Sequence, residues 1–371
     1  MKAAAADLRD NVAKHAALIT TEMGKLIGTS EAEVMLSAAI FDYYADRAEH
    51  FLATKELPES PGAVLKTEPI GVILAIEPWN FPYYQLARVV APQLIAGNVV
   101  VAKHAQNVPQ CAVAFAELFE RAGAPEGVHT NIFASIEQIG NVIEDRRVAG
   151  VTLTGSERAG AAVAERAGRS LKKVVMELGG SDPFIVLDDA DLEHAVAGAL
   201  FGRMFGTGQS CIGSKRIIVV GRDRGEKFLA EFTAAMQNQK PGDPMDPNTE
   251  LGPVSSEQAL ETLLAQVSEA RAAGARVVTG GDRIDRDGFY VEPTVLTDID
   301  PANPAYNTEF FRPVASFLHR GFRRRGDQAR QCDAFRTGGI GVHRQPRAWA
   351  RHRGADRQRH GLCEPARMDR T

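Results

Sequence analysis

Short apolar runs alternate with helical stretches between residues 71 and 178, and this alternation constrains the fold more than any other feature. The apolar runs, read as buried strands, cover 71–76, 98–102, 128–133, 148–153 and 173–178. Helical stretches lie between or after them, among them 84–94, 109–122 and 157–167. Strands and helices that alternate at this spacing predict an α/β fold with a doubly wound parallel sheet.

A second series of apolar runs follows at 182–187, 216–220 and 275–278 and predicts a second α/β domain. Apolar residues recur near helical spacing in the first sixty positions, which are therefore predicted to be helical. The last segment, 320–371, has too few aliphatic residues to build a comparable core. We expect one domain at 1–179, a second at 180–319, and a tail at 320–371.

The composition is that of an ordinary globular protein, with 44% hydrophobic and 24% charged residues. The first fifteen residues contain no apolar signal-peptide core, and no apolar stretch reaches membrane-spanning length. The four cysteines fit neither a disulfide framework nor a zinc site, so we predict no metal. These features indicate a cytoplasmic protein that does not interact with membranes.

Cys211 lies in the sequence Gly-Gln-Ser-Cys and follows Gly202, Gly206 and Gly208. Glycines allow the backbone to bend closely around a ligand, and a thiolate held beside hydrogen-bond donors is a nucleophile. The alternative is a small buried side chain with no chemical role.

Two further polar residues occupy informative positions. Glu177 ends an apolar run and precedes two glycines, at the edge where open α/β sheets bind their ligands. Asn80 lies between two aromatic residues and two prolines, where its amide can donate a hydrogen bond. The alternatives are a solvent-facing carboxylate for Glu177 and a turn-forming side chain for Asn80.

The segment Thr154-Gly-Ser-Glu-Arg-Ala-Gly160 joins a predicted strand to a predicted helix. Its small residues leave the first amide groups of the helix free to meet a phosphate. Lys103 ends another predicted strand and can reach a ribose or phosphate, although a solvated lysine fits equally well. The segment differs from the GxGxxG pattern of many dinucleotide-binding proteins.

Taken in order, six motifs resemble those of the aldehyde dehydrogenase superfamily. They are PWNFP (78–82), GNVVVAKHA (97–105), TGSERAG (154–160), MELGG (176–180), GQSC (208–211) and EFFRPV (309–314). The resemblance extends from about residue 1 to residue 317. It implies a cofactor domain at 1–179, with 61–72 as a strand of an oligomerisation arm, and a catalytic domain at 180–319. It also implies a homo-oligomer, as in relatives.

The resemblance further implies the roles of the site residues. Cys211 is the nucleophile, Asn80 and the backbone N–H of Cys211 form the oxyanion hole, and Glu177 activates the water that hydrolyses the thioester. The cofactor, NAD or NADP, is held by residues from several motifs, namely Trp79, Lys103, Gly155, Ser156, Gly160 and Glu309. The substrate is a small aldehyde.

Substrate and cofactor choice follow from finer details of the resemblance. The sequences of residues 103–112 and 178–186 are similar to those of the succinate-semialdehyde dehydrogenase branch. Arg88 matches the arginine with which that branch binds the substrate carboxylate, and a guanidinium suits this group. The alternative is an exposed helix arginine. Gln106 stands where NAD-preferring relatives often have Glu, so NADP is expected to be tolerated.

The chain departs from the family pattern in three places. Met1 falls inside what resembles a family helix, which predicts a cofactor domain without its first segment. Arg312 replaces a glycine of the motif and is expected to disturb the loop that carries Glu309. After about residue 317 the resemblance stops, which predicts an incomplete catalytic domain. An inactive remnant that binds cofactor without turnover is therefore the alternative to an active enzyme.

The tail has an unusual charge. Residues 320–371 contain fourteen Arg, no Lys and five acids, a net charge of +9, whereas the rest of the chain carries −13. A segment rich in Arg and without Lys is typical of GC-rich DNA translated in a shifted reading frame. When codons permitted for 327–370 are read one base later, they can encode a sequence that resembles the continuation of the family. We predict a frameshift between about residues 317 and 327 and a disordered tail; a basic tail that binds nucleic acid is the alternative.

Overall fold

The computed structural model describes residues 1–320 and 340–342. The helices are α1 (Lys2–Asp10), α2 (Val12–Met23), α3 (Ile27–Leu52), α4 (Pro82–Ile95), α5 (Pro109–Arg121), α6 (Ile136–Glu144), α7 (Glu157–Arg169), α8 (Leu192–Met204), α9 (Arg222–Gln237) and α10 (Glu257–Ala272). The strands are β1 (Lys55–Glu56), β2 (Val64–Leu65), β3 (Val72–Glu77), β4 (Val99–His104), β5 (His129–Asn131), β6 (Val148–Thr154), β7 (Lys173–Glu177), β8 (Asp182–Val186), β9 (Ser214–Val220), β10 (Arg276–Thr279), β11 (Thr294–Thr297), β12 (Val314–Arg320) and β13 (Ile340–Val342). A short 3₁₀ helix covers Pro304–Tyr306.

The first sheet has the strand order β5-β4-β3-β6-β7, and all of its pairs are parallel. The chain starts at the central strand β3, runs outward through β4 and β5, and then returns to add β6 and β7 on the other side. This topology confirms the predicted doubly wound sheet. Its switch point lies between β3 and β6, where the carboxyl ends of the strands form a ligand-binding crevice in such folds.

The two faces of this sheet are covered by different helices. Ala75, Val100 and Ala102 pack into a core with helices α1 to α5. Leu74 and Val151 pack on the opposite face with helices α6 and α7. Because side chains alternate along a strand, each polar residue at a strand end can be assigned to one of these faces.

The second sheet confirms the second α/β unit and has the order β10-β11-β12-β9-β8-β13. Only the β10–β11 pair is antiparallel among these described strands. Helices α8 and α9 pack on one side and α10 on the other. Strands β8 and β9 are almost fully buried, which explains the apolar runs at 184–186 and 217–220 within them.

The structure tests two further predictions only in part: the arm strand at 61–72 and the tail at 320–371. Within 61–72, Val64–Leu65 form β2, which pairs antiparallel with β1; an intersubunit role stays a prediction. Within the predicted tail, Ile340–Val342 add a parallel strand beside β8. The frameshift and the disorder predicted for 321–339 and 343–371 fall outside the described residues.

The start of α4 matters for the site because this helix carries Arg88. Pro82 occupies the first turn of the helix, where its missing N–H costs nothing. The buried Glu33 carboxylate accepts hydrogen bonds from the backbone N–H groups of Tyr83 (2.9 Å) and Tyr84 (3.1 Å). Lys25, also buried, pairs with Glu33 and neutralises its charge. The carboxylate thus caps the helix and interacts favourably with its dipole.

Candidate active site

Cys211 lies in the loop between α8 and β9, and the loop has an unusual backbone. Gly206, Thr207 and Gly208 adopt left-handed conformations in succession, with φ of 62°, 57° and 72°. A Cβ added to Gly208 would lie 2.5 Å from the backbone carbonyl of Arg312. The close approach requires glycine, while Thr207 is held in a conformation that is costly for its side chain. The glycines noted in the sequence therefore shape the turn that precedes the thiol.

Two buried cations hold this loop in place. The guanidinium of Arg203 donates a hydrogen bond to the carbonyl of Gly208 (2.7 Å). The ammonium of Lys215 donates to the carbonyls of Ser210 (2.8 Å) and Cys211 (2.7 Å). Sequence reasoning missed both residues, because nothing in the sequence shows that a charge on α8 or β9 turns inward.

Burial raises the pKa of the Cys211 thiol above its ordinary value. The positive charges of Lys215 and Arg88 and the backbone N–H of Ile212 oppose this shift, while Glu309 adds to it. The nearby cations therefore favour the thiolate that a nucleophile requires.

Replacing Lys215 with Met is expected to slow the alkylation of Cys211 by iodoacetamide by roughly threefold to tenfold at pH 7, because a charge that favours the thiolate is removed. Burial lowers the pKa of Lys215 to about 8. The wild-type lysine thus loses its charge as the pH rises through 8, and the difference in alkylation rate between the two proteins should shrink there.

Peptide mass spectrometry would give the rate of alkylation at Cys211. A ratio that does not change with pH would contradict an electrostatic role, and Lys227→Met on the exposed face of α9 is the control.

Asn80 lies just after β3 and is brought against the cysteine loop. Its side-chain amide donates a hydrogen bond to the carbonyl of Gln209 (3.0 Å). One hydrogen of the amide is used in this bond and the second is available for another acceptor. Trp79, beside it, meets the ring of Phe311 edge-on at a centroid distance of 6.1 Å. The PWNFP and GQSC segments therefore contact each other, as an oxyanion hole formed by both would require.

Glu177 ends β7 with its side chain 55% exposed, and Arg88 reaches it from α4. The guanidinium of Arg88 lies 3.4 Å from the Glu177 carboxylate and donates a hydrogen bond to the hydroxyl of Thr154 (2.8 Å). The Arg88 side chain is 25% exposed and lies over the ring of Tyr84. Its guanidinium is therefore held at the ends of β6 and β7, unlike that of a freely exposed helix arginine.

The strand register places a row of polar side chains on one face of the first sheet. Glu177 on β7 is paired with Thr154 on β6, and β6 in turn lies beside β3. Glu77, the last residue of β3, is paired with His104 on β4. Thr154 and Glu77 were missed by sequence reasoning. Each is the last residue of an apolar strand, and this signal, which identified Glu177, could have found them as well.

Lys103 and the segment 155–160, which were assigned to the cofactor, lie on the other face and at the same edge of the sheet. Lys103 follows Val101 by two positions on β4 and so faces the side covered by α7. Ser156 caps α7, and its hydroxyl accepts a hydrogen bond from the N–H of Ala159 (3.3 Å). The backbone N–H of Gly155 donates to the carbonyl of Glu177 (2.9 Å).

The start of α7 fits a dinucleotide. The first amide groups of a helix lack partners within the helix and attract phosphate. A Cβ added to Gly160 would lie 2.6 Å from the Leu178 side chain, so glycine lets the helix pack closely against the end of β7. Burial lowers the pKa of Lys103, whose half-buried side chain can donate to a ribose.

Glu309 lies beside the segment that joins the two units. Its carboxylate accepts a hydrogen bond from the backbone N–H of Gly180 (3.1 Å) and lies 3.1 Å from the ammonium of Lys215. Arg312 was expected to disturb this loop. Its guanidinium donates to the carbonyls of Ala259 (3.2 Å) and of its neighbour Phe311 (2.8 Å). The space beside α10 accommodates the large side chain, and Glu309 keeps both contacts.

In the part of the chain that the structure describes, no group of three His, Cys, Asp or Glu side chains is arranged to hold a metal ion. No helix among residues 1–320 is long and apolar enough to cross a bilayer.

Comparison with known proteins places these features in a family. Residues 1–320 match the model of the aldehyde dehydrogenase family. The succinate-semialdehyde dehydrogenase [NADP(+)] of Deinococcus radiodurans is 50% identical over 316 residues, which cover 85% of this chain and 66% of that protein. The matched region thus spans slightly less than two thirds of this relative.

Solved structures agree with this comparison. The succinic semialdehyde dehydrogenase of Streptococcus pyogenes, determined in complex with NADP+, is similar with a TM-score of 0.92 and 42% identity, covering 95% of this chain and 78% of that one. The betaine aldehyde dehydrogenase of Staphylococcus aureus, in complex with NAD+, has a TM-score of 0.90 and 29% identity, covering 96% and 71%.

Proposed function

Because the chain belongs to the aldehyde dehydrogenase family, we propose that it oxidises a short anionic aldehyde, such as succinate semialdehyde, to the acid with NAD or NADP. The position of Arg88 carries this proposal. Its guanidinium contacts Glu177, and its charge partly offsets the rise that burial causes in the pKa of the Cys211 thiol. One cation therefore lies beside both the nucleophile and the base, where it suits a substrate carboxylate.

The first half of the reaction uses the cysteine loop. The Cys211 thiolate attacks the aldehyde carbon and forms a tetrahedral oxyanion. The Asn80 amide, oriented by its bond to Gln209, and the backbone N–H of Cys211 donate hydrogen bonds to this oxygen. The bound cofactor would supply the nicotinamide ring as the acceptor for the hydride that leaves the substrate carbon. The acyl group stays on Cys211 as a thioester.

The second half requires a base that can reach water. Glu177 takes a proton from the water that attacks the thioester, and its 55% exposed side chain has access to solvent. Arg88 competes with that water for the carboxylate. A substrate carboxylate that engages Arg88 therefore frees Glu177 to act, which links anionic substrates to efficient hydrolysis.

The cofactor residues support both dinucleotides. Lys103, Gly155, Ser156 and Gly160 would hold ribose and phosphate at the start of α7. Gln106 places no carboxylate where a 2′-phosphate would be repelled. The NADP(+) and NAD+ in the names of the relatives support the same two cofactors.

Replacing Arg88 with Gln is expected to raise KM for succinate semialdehyde by roughly tenfold to hundredfold, because a charge-assisted hydrogen bond is lost. KM for butanal, which has the same chain length and no carboxylate, should change little. The measurement is NADPH or NADH formation by absorbance with both aldehydes. Arg146→Gln is the matched control, since Arg146 is exposed just before β6, at the opposite end of the sheet.

An equal rise of KM for both aldehydes would contradict carboxylate binding by Arg88. Folded protein that oxidises neither aldehyde would favour the alternative function, a remnant that binds cofactor without turnover.

Three other expectations remain part of the proposal. The boundary between the units is placed at residues 179/180, between the end of β7 and the start of β8. A cytoplasmic location is supported by the composition, and fractionation of cells would test it. Assembly into a homo-oligomer is supported by family membership, and sedimentation would test it.

A further inference from the structure

Glu77 is a buried carboxyl group for which the proposed reaction has no use. It ends β3 at the switch point of the first sheet and is 3% exposed. Both of its carboxyl oxygens are buried and fall outside strict hydrogen-bond geometry with the described residues, although the Thr154 hydroxyl is near enough to interact with them. A buried carboxylate that is so poorly hydrogen-bonded is costly, so the neutral acid is the favoured form.

The groups that lie near Glu77 come from β4, β6, β7 and α4. His104 on β4 is neutral, because burial lowers its pKa to about 4, and its Nε2 lies 3.0 Å from the carbonyl of Pro82. Thr154 on β6 and Arg88 on α4 lower the pKa of Glu77, whereas Glu177 on β7 raises it.

Burial exceeds these effects and raises the pKa of Glu77 to about 8. Near neutral pH, Arg88 therefore faces one ionised carboxylate, that of Glu177. As the pH rises through about 8, Glu77 ionises. Arg88 donates a hydrogen bond to Thr154 (2.8 Å), which neighbours the end of β3 in the strand register and is paired with Glu177, so its guanidinium then lies near two carboxylates.

We propose that Glu77 is a specificity-determining positioning residue, whose neutral form keeps the Arg88 guanidinium available to the anionic group of the substrate. Ionised Glu77 attracts the same guanidinium and neutralises its charge. The inference rests on the proposed function, because it assumes that Arg88 binds the substrate carboxylate. It predicts that preference for anionic over neutral aldehydes falls with increasing pH.

The test compares wild type with Glu77→Gln, a neutral side chain of the same shape, between pH 6.5 and 9.5. In wild type, the ratio of KM for succinate semialdehyde to KM for butanal is expected to rise about tenfold above pH 8. In Glu77→Gln the ratio should stay at its low-pH value. Equal rises in both proteins, or no rise in wild type, would overturn the proposal.

Two further variants control for misfolding and for the change in net charge. Glu77→Met, also uncharged and of similar length, should behave like the Gln variant and replaces it if that protein does not fold. Glu120→Gln, on the exposed side of α5, controls for the change in net charge and should retain the wild-type pH dependence.

Binding of succinate separates this inference from the proposed function. Should neither aldehyde be oxidised, the proposed function fails, but titration calorimetry with succinate at pH 7 and pH 9.5 still reports on Arg88. Weaker binding at pH 9.5 in wild type alone would support the inference. The same pH dependence in wild type and Glu77→Gln, or none in either, would overturn it.

Discussion

Cys211→Ala is expected to lower aldehyde-dependent NADPH formation by about a thousandfold or more, the effect of removing a covalent nucleophile. Without the thiolate the aldehyde carbon stays trigonal, and no tetrahedral oxyanion forms beside Asn80 to release hydride. The measurement is the initial rate of absorbance change with the purified 371-residue chain, succinate semialdehyde and NADP.

Cys111→Ala is the matched control for this experiment. Cys111 is the other free cysteine among the described residues, and it lies fully buried on α5 in the core of the first unit. Burial raises the pKa of its thiol strongly and so disfavours the thiolate that a nucleophile requires. Its alanine variant should keep its turnover. If Cys211→Ala still binds NADP and oxidises the aldehyde at more than a tenth of the wild-type rate, Cys211 is not the nucleophile.

Much of the fold follows from local sequence. Apolar runs predicted the strands of the first sheet to within about two residues at each end. The reason is clearest for β3 and β6, which are largely buried and therefore have mostly apolar sequences. The same reasoning located Glu177, whose polar side chain ends such a run. The glycines around Cys211 signalled a tight turn, and the structure shows why Gly208 in particular has no room for a Cβ.

Other parts of the site depend on register and on contacts between distant segments. The row formed by Glu77, Thr154 and Glu177 exists only because three strands align their last residues. The inward turn of Lys215 depends on carbonyl groups of a loop that the sequence does not position. For Arg312 the sequence predicted a disturbance of the Glu309 loop because the side chain is large. In the structure the side chain fits into the space beside α10.

The buried pair of Lys25 and Glu33 is the clearest feature that the sequence concealed. Both side chains are almost completely buried, and the ammonium also lies 3.7 Å from the centroid of the Phe81 ring. Burial lowers the pKa of Lys25, and Glu33 opposes that shift. Glu33 in turn caps α4, so the pair supports the helix that carries Arg88.

Glu33→Gln is expected to destabilise the protein by about 3–5 kcal/mol, because it leaves the buried ammonium of Lys25 without its counter-ion. The Gln side chain keeps an oxygen that can accept from Tyr83 and Tyr84, so the loss reports on charge and not on the cap. Lys25→Met should also destabilise, because it leaves an uncompensated carboxylate. Urea denaturation followed by circular dichroism gives the free energy of unfolding of each variant.

The double variant Lys25→Met/Glu33→Gln decides whether the pair acts as a unit. With both charges removed, no ion stays buried without a partner, and a neutral replacement of a buried pair is often close to neutral in stability. The double variant should therefore unfold with a smaller free-energy loss than the two single losses added together, by at least about 2 kcal/mol. Additive losses would mean that Lys25 and Glu33 stabilise the protein independently. In that case the buried lysine would not contribute to the stability of the Glu33 cap on α4.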